Sequence, residues 1–275
     1  MPSASQPGTQ TQPRRFVFTK LDRGWRRFAT GLSFFLFGTV GLFLGVVYFP
    51  ALRLFVQQTE RRANIARRTI AWTFRLFVGI MRGLRLLDYE LLGFAKLNRK
   101  GLVVIANHPS LIDTVFLLGF VQNSIAVVDD GLFRNSFTGA PLRAAGFIRN
   151  DAGATVLDDC VAALDAGLNV VIFPEGTRTP RHGTVKLKRG VANIAIRAER
   201  NLTPIIIQCS PRTLMKGEKW WQIPERPPHY TFAVGDDIAV HAFSSHDESP
   251  ALAVRRLTAY LEQYFTTQSP AHAIS

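Results

Sequence analysis

Cysteine is scarce in this 275-residue chain, which contains only Cys160 and Cys209. Neither belongs to a CxxC or similar ligand pattern, so the sequence indicates no zinc site and no disulfide framework. Two small buried side chains in a reducing compartment are the simplest interpretation. A Gly-x-Ser-x-Gly motif is also missing, which argues against a serine hydrolase built on a nucleophile elbow.

Acidic residues are nearly missing from one part of the chain. Residues 14–85 hold 14 lysines and arginines against two acids, a net charge of +12, whereas the whole chain carries +13. Such a basic region faces an anionic surface, either nucleic acid or membrane. The charge lies beside the longest apolar run, and the nearly neutral remainder shows no helix-turn-helix, zinc-finger or RNA-stacking signature. We therefore expect membrane lipids, and not nucleic acid, as partners.

Charge of either sign is absent from Phe28 to Leu52, a run of 25 residues. A helix of this length can cross a hydrocarbon layer of about 30 Å. The run is too long for the core of a signal peptide, and no A-x-A pattern follows it. Basic residues flank both ends, so the positive-inside rule assigns no orientation. A crossing helix fits, and so does a re-entrant anchor interrupted near Gly45 and Pro50 that keeps both flanks on the cytoplasmic side.

Residues 61–87 predict an amphipathic helix. Its basic side consists of arginines on one helical arc: Arg61, Arg67, Arg68, Arg75, Arg82 and Arg85. The opposite arc is apolar and includes Ile70, Phe77, Ile80 and Leu84. This combination is typical of a helix in the membrane interface, and a solvated face of an ordinary packed helix is the alternative.

The segments suggest three regions: a basic disordered tail (1–27), a membrane anchor with the amphipathic helix (28–85), and a catalytic domain (86–275). In the third region short apolar runs alternate with helical patterns. The predicted strands are 101–106, 124–128, 169–173, 203–208, 230–234 and 238–240. The predicted helices are 114–121, 155–166, 190–200 and 250–265. This alternation predicts an α/β fold with a mostly parallel sheet flanked by helices, preceded by the hydrophobic anchor.

The first group of chemically competent residues is His108 and Asp113, which follow the strand predicted at 101–106. Ligands bind at the carboxyl edge of such sheets. Histidine can take a proton near neutral pH, and a carboxylate five residues later can fold back to orient the ring. An incoming hydroxyl can then act as the nucleophile. The alternative is a helix N-terminus in which Asn107 or Ser110 is the cap.

Two further blocks contain arginine. Phe173–Arg178 reads FPEGTR after another predicted strand. Glycine there permits close backbone approach, and Arg178 can bind phosphate or carboxylate in a bidentate manner. The block Gly146–Asp151 reads GFIRND and presents Arg149. A tight turn with a surface ion pair is the alternative for the first block, and a solvated turn for the second.

Taken together, these blocks resemble the lysophospholipid acyltransferases, which include 1-acylglycerol-3-phosphate acyltransferase. The His-x4-Asp signature matches NHPSLID, the glycine-to-arginine block matches GFIRND, and FPEGTR is present unchanged. A late apolar block with a proline is similar to Leu202–Ile205. The resemblance covers roughly residues 85–240, and the blocks follow the family's order.

The resemblance implies direct transfer of a fatty acyl group to the hydroxyl of a lysophospholipid. His108 would remove the hydroxyl proton during attack on a thioester carbonyl, and Asp113 would orient His108. The implied donor is acyl-CoA or acyl-carrier protein, without a metal or bound organic cofactor. The enzyme would be membrane-bound, with its catalytic domain on the cytoplasmic face. The residues implied to shape the acceptor site are Arg149, Glu175, Gly176, Thr177 and Arg178.

One departure from the family affects the acceptor. Where many members carry a basic residue between the first two blocks, this chain has Asp129 and Asp130. Two acids disfavour a nearby phosphomonoester, so another lyso-lipid or an amino-acid lipid stays open as the acceptor. A hydrolase that uses the same His–Asp pair and a catalytically silent membrane-binding module are the alternatives from other classes.

Overall fold

The computed structural model describes residues 20–135, 137–150, 155–179, 186–243 and 249–268. Its helices are α1 (Lys20–Phe43), α2 (Phe49–Phe55), α3 (Thr59–Gly83), α4 (Asp113–Phe120), α5 (Asp130–Arg134), α6 (Gly139–Ala145), α7 (Thr155–Asp165), α8 (Gly190–Arg197) and α9 (Pro250–Gln268). Its strands are β1 (Asp88–Leu92), β2 (Val103–Ala106), β3 (Ser124–Asp129), β4 (Ile148–Asn150), β5 (Asn169–Ile172), β6 (Leu202–Ser210) and β7 (His229–Val234).

The seven strands form one sheet in the order β1-β7-β6-β2-β5-β3-β4. Strands β6, β2, β5, β3 and β4 run parallel to one another, β7 is antiparallel to β6, and β1 is parallel to β7. The prediction of a mostly parallel α/β fold is therefore confirmed. The central strands β2 and β5 are buried along their whole length, as their unbroken apolar sequences require.

Three details of the sheet differ from the sequence-based prediction. Strands β1 and β4 were not predicted, because DYELL alternates polar and apolar residues over one short stretch and β4 has only three residues. The strand predicted at 238–240 is wrong. Ile238 makes a single bridge to Leu202, and the chain then enters a 3-10 turn at Val240–Phe243.

The uncharged run is helical throughout, but its first helix begins earlier than predicted. Helix α1 starts at Lys20, so part of the predicted tail is helical, and residues 1–19 lie outside the described residues. A π-helical turn at Leu44–Tyr48 links α1 to α2, close to the interruption predicted at Gly45. Pro50 lies in the first turn of α2, directly after the π-helical turn, and lacks the N–H that would continue the helical hydrogen bonding. The helical stretch Asp22–Phe55 is long and apolar enough to cross a membrane.

Helix α1 packs along one side on α3. The ring of Phe37 lies 4.5 Å from that of Phe77 between centroids, and the ring of Phe34 lies 5.9 Å from it. The other side of α1 is exposed and apolar, with Phe28, Leu32, Phe35, Leu36, Val40 and Phe43 facing outward. Helix α1 is thus joined to the remainder of the protein by aromatic packing and still presents an apolar surface on its other side.

The basic arc predicted for α3 is wrong at one position, because one of its arginines is buried. Arg61, Arg68, Arg75 and Arg82 are exposed, as predicted. Arg67 is only 8% exposed, and its guanidinium donates to the side chain of Asn123 at 3.1 Å and to the carbonyl of Ala145 at 3.2 Å. Both acceptors come from distant parts of the chain, so helical periodicity could not reveal them. Helix α3 also ends at Gly83 instead of continuing to residue 87, and on its apolar arc Ile70 and Phe77 are buried whereas Ile80 is exposed.

Replacing Arg67 with methionine should lower the free energy of unfolding by about 1.5–3 kcal/mol, because two hydrogen bonds of a buried charged group are lost. Arg68→Met, one residue further along the exposed side, is the matched control and should change stability by less than about 0.5 kcal/mol. Denaturant unfolding of both variants in the same detergent measures the difference. Equal losses in the two variants would contradict the structural role of Arg67.

Candidate active site

The candidate site lies at the carboxyl edge of the parallel strands, where β2 ends. Asn107, the first residue after β2, uses its side-chain amide to continue the pairing with β6. Its Nδ2 donates to the carbonyl of Ile207 at 2.8 Å, and its Oδ1 accepts from the amide of Ile207 at 2.7 Å. This bond pair fixes where the chain leaves the sheet. Asn107 is therefore not a helix cap, and the residue that precedes α4, Ile112, makes no side-chain capping bond.

His108 and Asp113 are in direct contact. The Nδ1 atom of His108 lies 3.0 Å from Oδ2 of Asp113, whose side chain is fully buried. Asp113 also accepts hydrogen bonds from the backbone N–H of Ser110 at 2.6 Å and from its hydroxyl at 2.8 Å. As the first residue of α4, the carboxylate lies at the positive end of the helix dipole. These three partners compensate for burial of the carboxylate, and a proton on Nδ1 of His108 would leave Nε2 as the hydrogen-bond acceptor of the ring.

His108 is contacted by Phe173 and Glu175 of the FPEGTR block and by Thr179, which directly follows it. The imidazole stacks on the ring of Phe173 with centroids 4.1 Å apart. The backbone N–H of His108 donates to Oε1 of Glu175 at 3.1 Å and to the hydroxyl of Thr179 at 3.2 Å, and its carbonyl accepts from the amide of Thr179 at 2.7 Å. Glu175 is buried, so it shapes the site by fixing His108, and direct contact with a substrate stays a prediction. Thr179, directly after the motif, was not singled out from the sequence.

Gly176 and Thr177 form the exposed tip of the same block. Gly176 adopts a left-handed conformation with φ of +66°, which favours glycine. The side chain of Lys188 crosses it so closely that a Cβ atom at this position would lie 2.6 Å from Cε of Lys188. The positive φ is therefore what favours glycine here, because the flexible end of the Lys188 side chain can move to make space. Lys188 brings an amine to this tip that the sequence analysis missed, although the basic run 186–189 could have indicated it.

Arg178 is anchored at one edge of its guanidinium group. Its Nη1 donates to the carbonyl of Leu214 at 3.0 Å and to that of Met215 at 2.8 Å. The Leu214 carbonyl also accepts the amide of Leu111 at 3.1 Å. The connection between β6 and β7 is thereby tied to the loops of both motifs. Nothing in the local sequence of residues 211–228 signals this role.

Arg149 lies further away than the sequence suggested. It is on β4, and two strands, β5 and β3, separate β4 from β2. Its Nη1 is 3.5 Å from Oδ1 of Asp130, and its guanidinium lies over the ring of Phe133. Asp130 also pairs with Arg134 at 2.5 Å. An acid that departs from the family pattern thus offsets the charge of Arg149, and the structure does not bring Arg149 beside the His–Asp pair. Asp151, in the same block, lies outside the described residues.

The thiols of the two cysteines are both unreactive near neutral pH. Burial raises the pKa of the Cys160 thiol to about 12 and that of the Cys209 thiol to about 11. Both are free thiols. Because the thiolate is the reactive form, neither side chain is a nucleophile near neutral pH. Within the described ranges, no group of three or more His, Cys, Asp or Glu side chains is placed to hold a metal ion.

The fold and the His–Asp site agree with the match to a known family. Residues 90–208 match the family model described as Acyltransferase. This range includes the NHPSLID, GFIRND and FPEGTR blocks and the strands that present them. Over this range the chain is similar to the acyltransferase family, and the predicted resemblance to the lysophospholipid acyltransferases is confirmed.

Individual relatives make the comparison more specific. The chain is 31% identical over 183 residues to the 1-acyl-sn-glycerol-3-phosphate acyltransferase of Pseudomonas aeruginosa. The aligned region covers 63% of this chain and 65% of that protein. It is 32% identical over 123 residues to the putative 1-acyl-sn-glycerol-3-phosphate acyltransferase acl-2 of Caenorhabditis elegans, covering 42% and 43%. It thus spans less than two thirds of either relative.

Among solved structures, the fold is similar to that of the 1-acyl-sn-glycerophosphate acyltransferase PlsC from Thermotoga maritima. The TM-score is 0.63, the sequence identity is 22%, and the match covers 88% of this chain and 97% of that one. This similarity includes most of the described residues and confirms the α/β architecture.

Proposed function

We propose that this protein transfers an acyl group to the free hydroxyl of a 1-acylglycerol-3-phosphate-type lysophospholipid. The observation that carries the proposal is the buried, threefold hydrogen-bonded Asp113 that holds His108 at the carboxyl edge of the sheet, inside an acyltransferase-family domain. The relatives named for this activity supply the acceptor class.

The geometry supports a direct transfer. With Nδ1–H donated to Asp113, Nε2 of His108 accepts the proton of the acceptor hydroxyl as its oxygen attacks the acyl carbonyl of a thioester. Asp113 stabilises the imidazolium that forms. The carbon–sulfur bond then breaks, and the departing thiolate takes the proton from His108. The donor is an acyl-CoA or an acyl-carrier protein thioester, and the acceptor oxygen makes a separate enzyme nucleophile unnecessary.

Arg178 is the proposed contact for the acceptor phosphate. Its Nη1 is used by backbone carbonyls, which aims the guanidinium and leaves its remaining N–H groups for a ligand. Lys188 adds a second cation at the tip of the same block. Arg149 is the weaker candidate, because Asp130 offsets its charge.

Arg178→Ala should raise the KM for the acceptor about tenfold to a hundredfold and leave the KM for the acyl donor nearly unchanged, because a charged hydrogen bond to phosphate is lost. Arg134→Ala is the control, since this arginine is exposed and pairs only with Asp130 among the described contacts. Steady-state kinetics with each substrate varied in turn measure both constants. A defect confined to the donor would assign Arg178 to the other substrate.

The described apolar surface of α1 supports attachment to a membrane, with the exposed arginines of α3 facing anionic headgroups. We place the catalytic domain on the cytoplasmic face, where acyl thioesters are made.

The direct test of the activity is incubation of the purified protein in detergent with a panel of lyso-lipids and labelled acyl thioesters, followed by lipid mass spectrometry. A diacyl phospholipid formed from lysophosphatidate supports the proposal. Release of free fatty acid alone would indicate a hydrolase, and product only with another lyso-lipid or an amino-acid lipid would change the acceptor.

A further inference from the structure

The connection between β6 and β7, residues 211–228, exposes two neighbouring tryptophans. Trp220 and Trp221 are 41% and 47% exposed and meet edge to face, with ring centroids 5.4 Å apart. The amine of Lys219 lies 5.0 Å from the centre of the Trp221 ring. Tryptophans are usually well buried, so a half-exposed pair beside a lysine requires an explanation. Tryptophan side chains, which combine an apolar ring with a polar N–H group, are enriched at membrane–water interfaces.

Hydrogen bonds and ring packing connect residues 211–228 to helix α1. The guanidinium of Arg26, only 3% exposed, donates to the carbonyls of Pro224 at 3.0 Å and of Glu225 at 2.6 Å. Trp220 packs on the same helix, because its ring lies 3.1 Å from where a Cβ of Gly31 would stand and 6.4 Å from the ring of Phe34 between centroids. The two tryptophans therefore have a fixed position along α1.

That position coincides with the boundary between charge and apolar surface on α1. Arg27 is the last charged residue before the uncharged run that begins at Phe28. At 1.5 Å per residue, Gly31 and Phe34 lie only about 6 and 10 Å further along the helix axis. Trp25, 50% exposed, lies at the same end. If α1 enters a bilayer, the tryptophan pair is held at the depth of the interfacial layer.

The charges around the pair suit anionic headgroups. Lys216 and Lys219 are exposed. The acid between them, Glu218, directs a carboxylate oxygen to the backbone N–H of Met215 at 3.1 Å, so it is drawn toward the base of the connection. The outer surface of this turn is therefore basic and aromatic.

We infer that residues 215–223, which we call the tryptophan turn, form a second membrane contact supplied by the catalytic domain. Trp220 and Trp221 insert at the bilayer interface, and Lys216 and Lys219 meet lipid phosphates. The inference rests on the proposed attachment of α1 to a bilayer. Because the carbonyls of Leu214 and Met215 hold Arg178, this contact also fixes the height of the acceptor site above the membrane.

The test uses the full-length protein with Trp25→Phe and Trp72→Phe, so that Trp220 and Trp221 are the only tryptophans. The vesicles contain phosphatidylcholine and phosphatidylglycerol, with or without lipids brominated near the headgroup end of the acyl chains. We expect brominated vesicles to quench the emission. Trp221→Ala combined with Lys219→Gln, which leaves the packing of Trp220 on Gly31 and Phe34 of α1 in place, should weaken vesicle binding about five- to tenfold.

Flotation of the same samples separates the two levels of the proposal. If the protein floats with vesicles but its emission is unchanged by bromine, the tryptophan turn is not a membrane contact, although the attachment of α1 stands. Unchanged vesicle affinity of the Trp221→Ala, Lys219→Gln protein leads to the same conclusion. If the protein does not float at all, the attachment of α1 and the inference built on it both fail.

Discussion

Replacing His108 with alanine should lower turnover by on the order of 10²–10⁴-fold while the protein stays folded. The reason for the loss is that Nε2 of His108 is the proposed proton acceptor at the attacking oxygen. The reason for the intact fold is that Glu175 and Thr179 bind His108 through its backbone N–H and carbonyl, which alanine retains. Asp113 keeps both hydrogen bonds from Ser110. Initial rates with saturating substrates, together with a thermal unfolding curve, measure both parts of the prediction.

Two further variants sharpen this result. Asp113→Asn keeps the size of the side chain but removes the charge that stabilises the imidazolium, so it should lower kcat much more than it changes either KM. His229→Ala is the matched control, because this histidine is 41% exposed on β7 and meets only Asp88 and Glu90 among the described ion pairs. A folded His108→Ala protein with wild-type turnover would refute the mechanism.

Changing the outward face of α1 to glutamine at Phe28, Phe35, Val40 and Phe43 should reduce partitioning into vesicles at high salt by about 10⁴-fold. These side chains are 40–69% exposed in the protein, and each withdraws apolar surface from water when it enters a bilayer. At about 1.5 kcal/mol for each, the four substitutions remove about 6 kcal/mol of transfer free energy. Phe34 and Phe37 stay in place, so the packing of α1 on α3 is preserved.

Flotation with anionic vesicles at low and high salt measures the effect. The exposed arginines of α3 should retain some binding at low salt, since each contributes about 1 kcal/mol near an anionic surface and salt screens this attraction. Leu252→Gln on α9, which removes a 43% exposed apolar side chain elsewhere, is the control and should leave flotation unchanged. Full flotation of the fourfold variant at high salt would show that the outward face of α1 is not the anchor.

The contact between His108 and Asp113 was easier to predict from the sequence than the surroundings of the candidate site. The apolar runs 101–106 and 169–173 locate two strand ends, and neighbouring parallel strands bring such ends together. The pairing of His108 with Asp113 followed from their local spacing. The position of Arg149 could not be predicted, because it depends on strand order, and two strands separate β4 from β2.

Contacts between distant segments account for the other differences. Arg67 matches the periodicity of a solvent-facing arginine, and only its acceptors, Asn123 and Ala145, make it a buried one. In the same way, the connection between β6 and β7 reads as an ordinary loop until Arg26 and Arg178 are seen to donate to its carbonyls. Periodicity describes which face of one element is apolar, but it contains no information on which backbone carbonyl a cation will reach.

The pairing of β1 with β7 sets a limit on how the sheet-containing part of the chain can be separated from helices α1 to α3. Strand β1 follows α3 after only a few residues, yet it forms the outer edge of the sheet beside β7. A fragment trimmed past Leu92 would leave the backbone amides and carbonyls of β7 without their neighbour. Such a bared edge can recruit strands from other copies and lead to aggregation. A soluble fragment made by truncation or by proteolysis therefore has to retain Asp88–Leu92, even though these residues lie outside every sequence motif of the site.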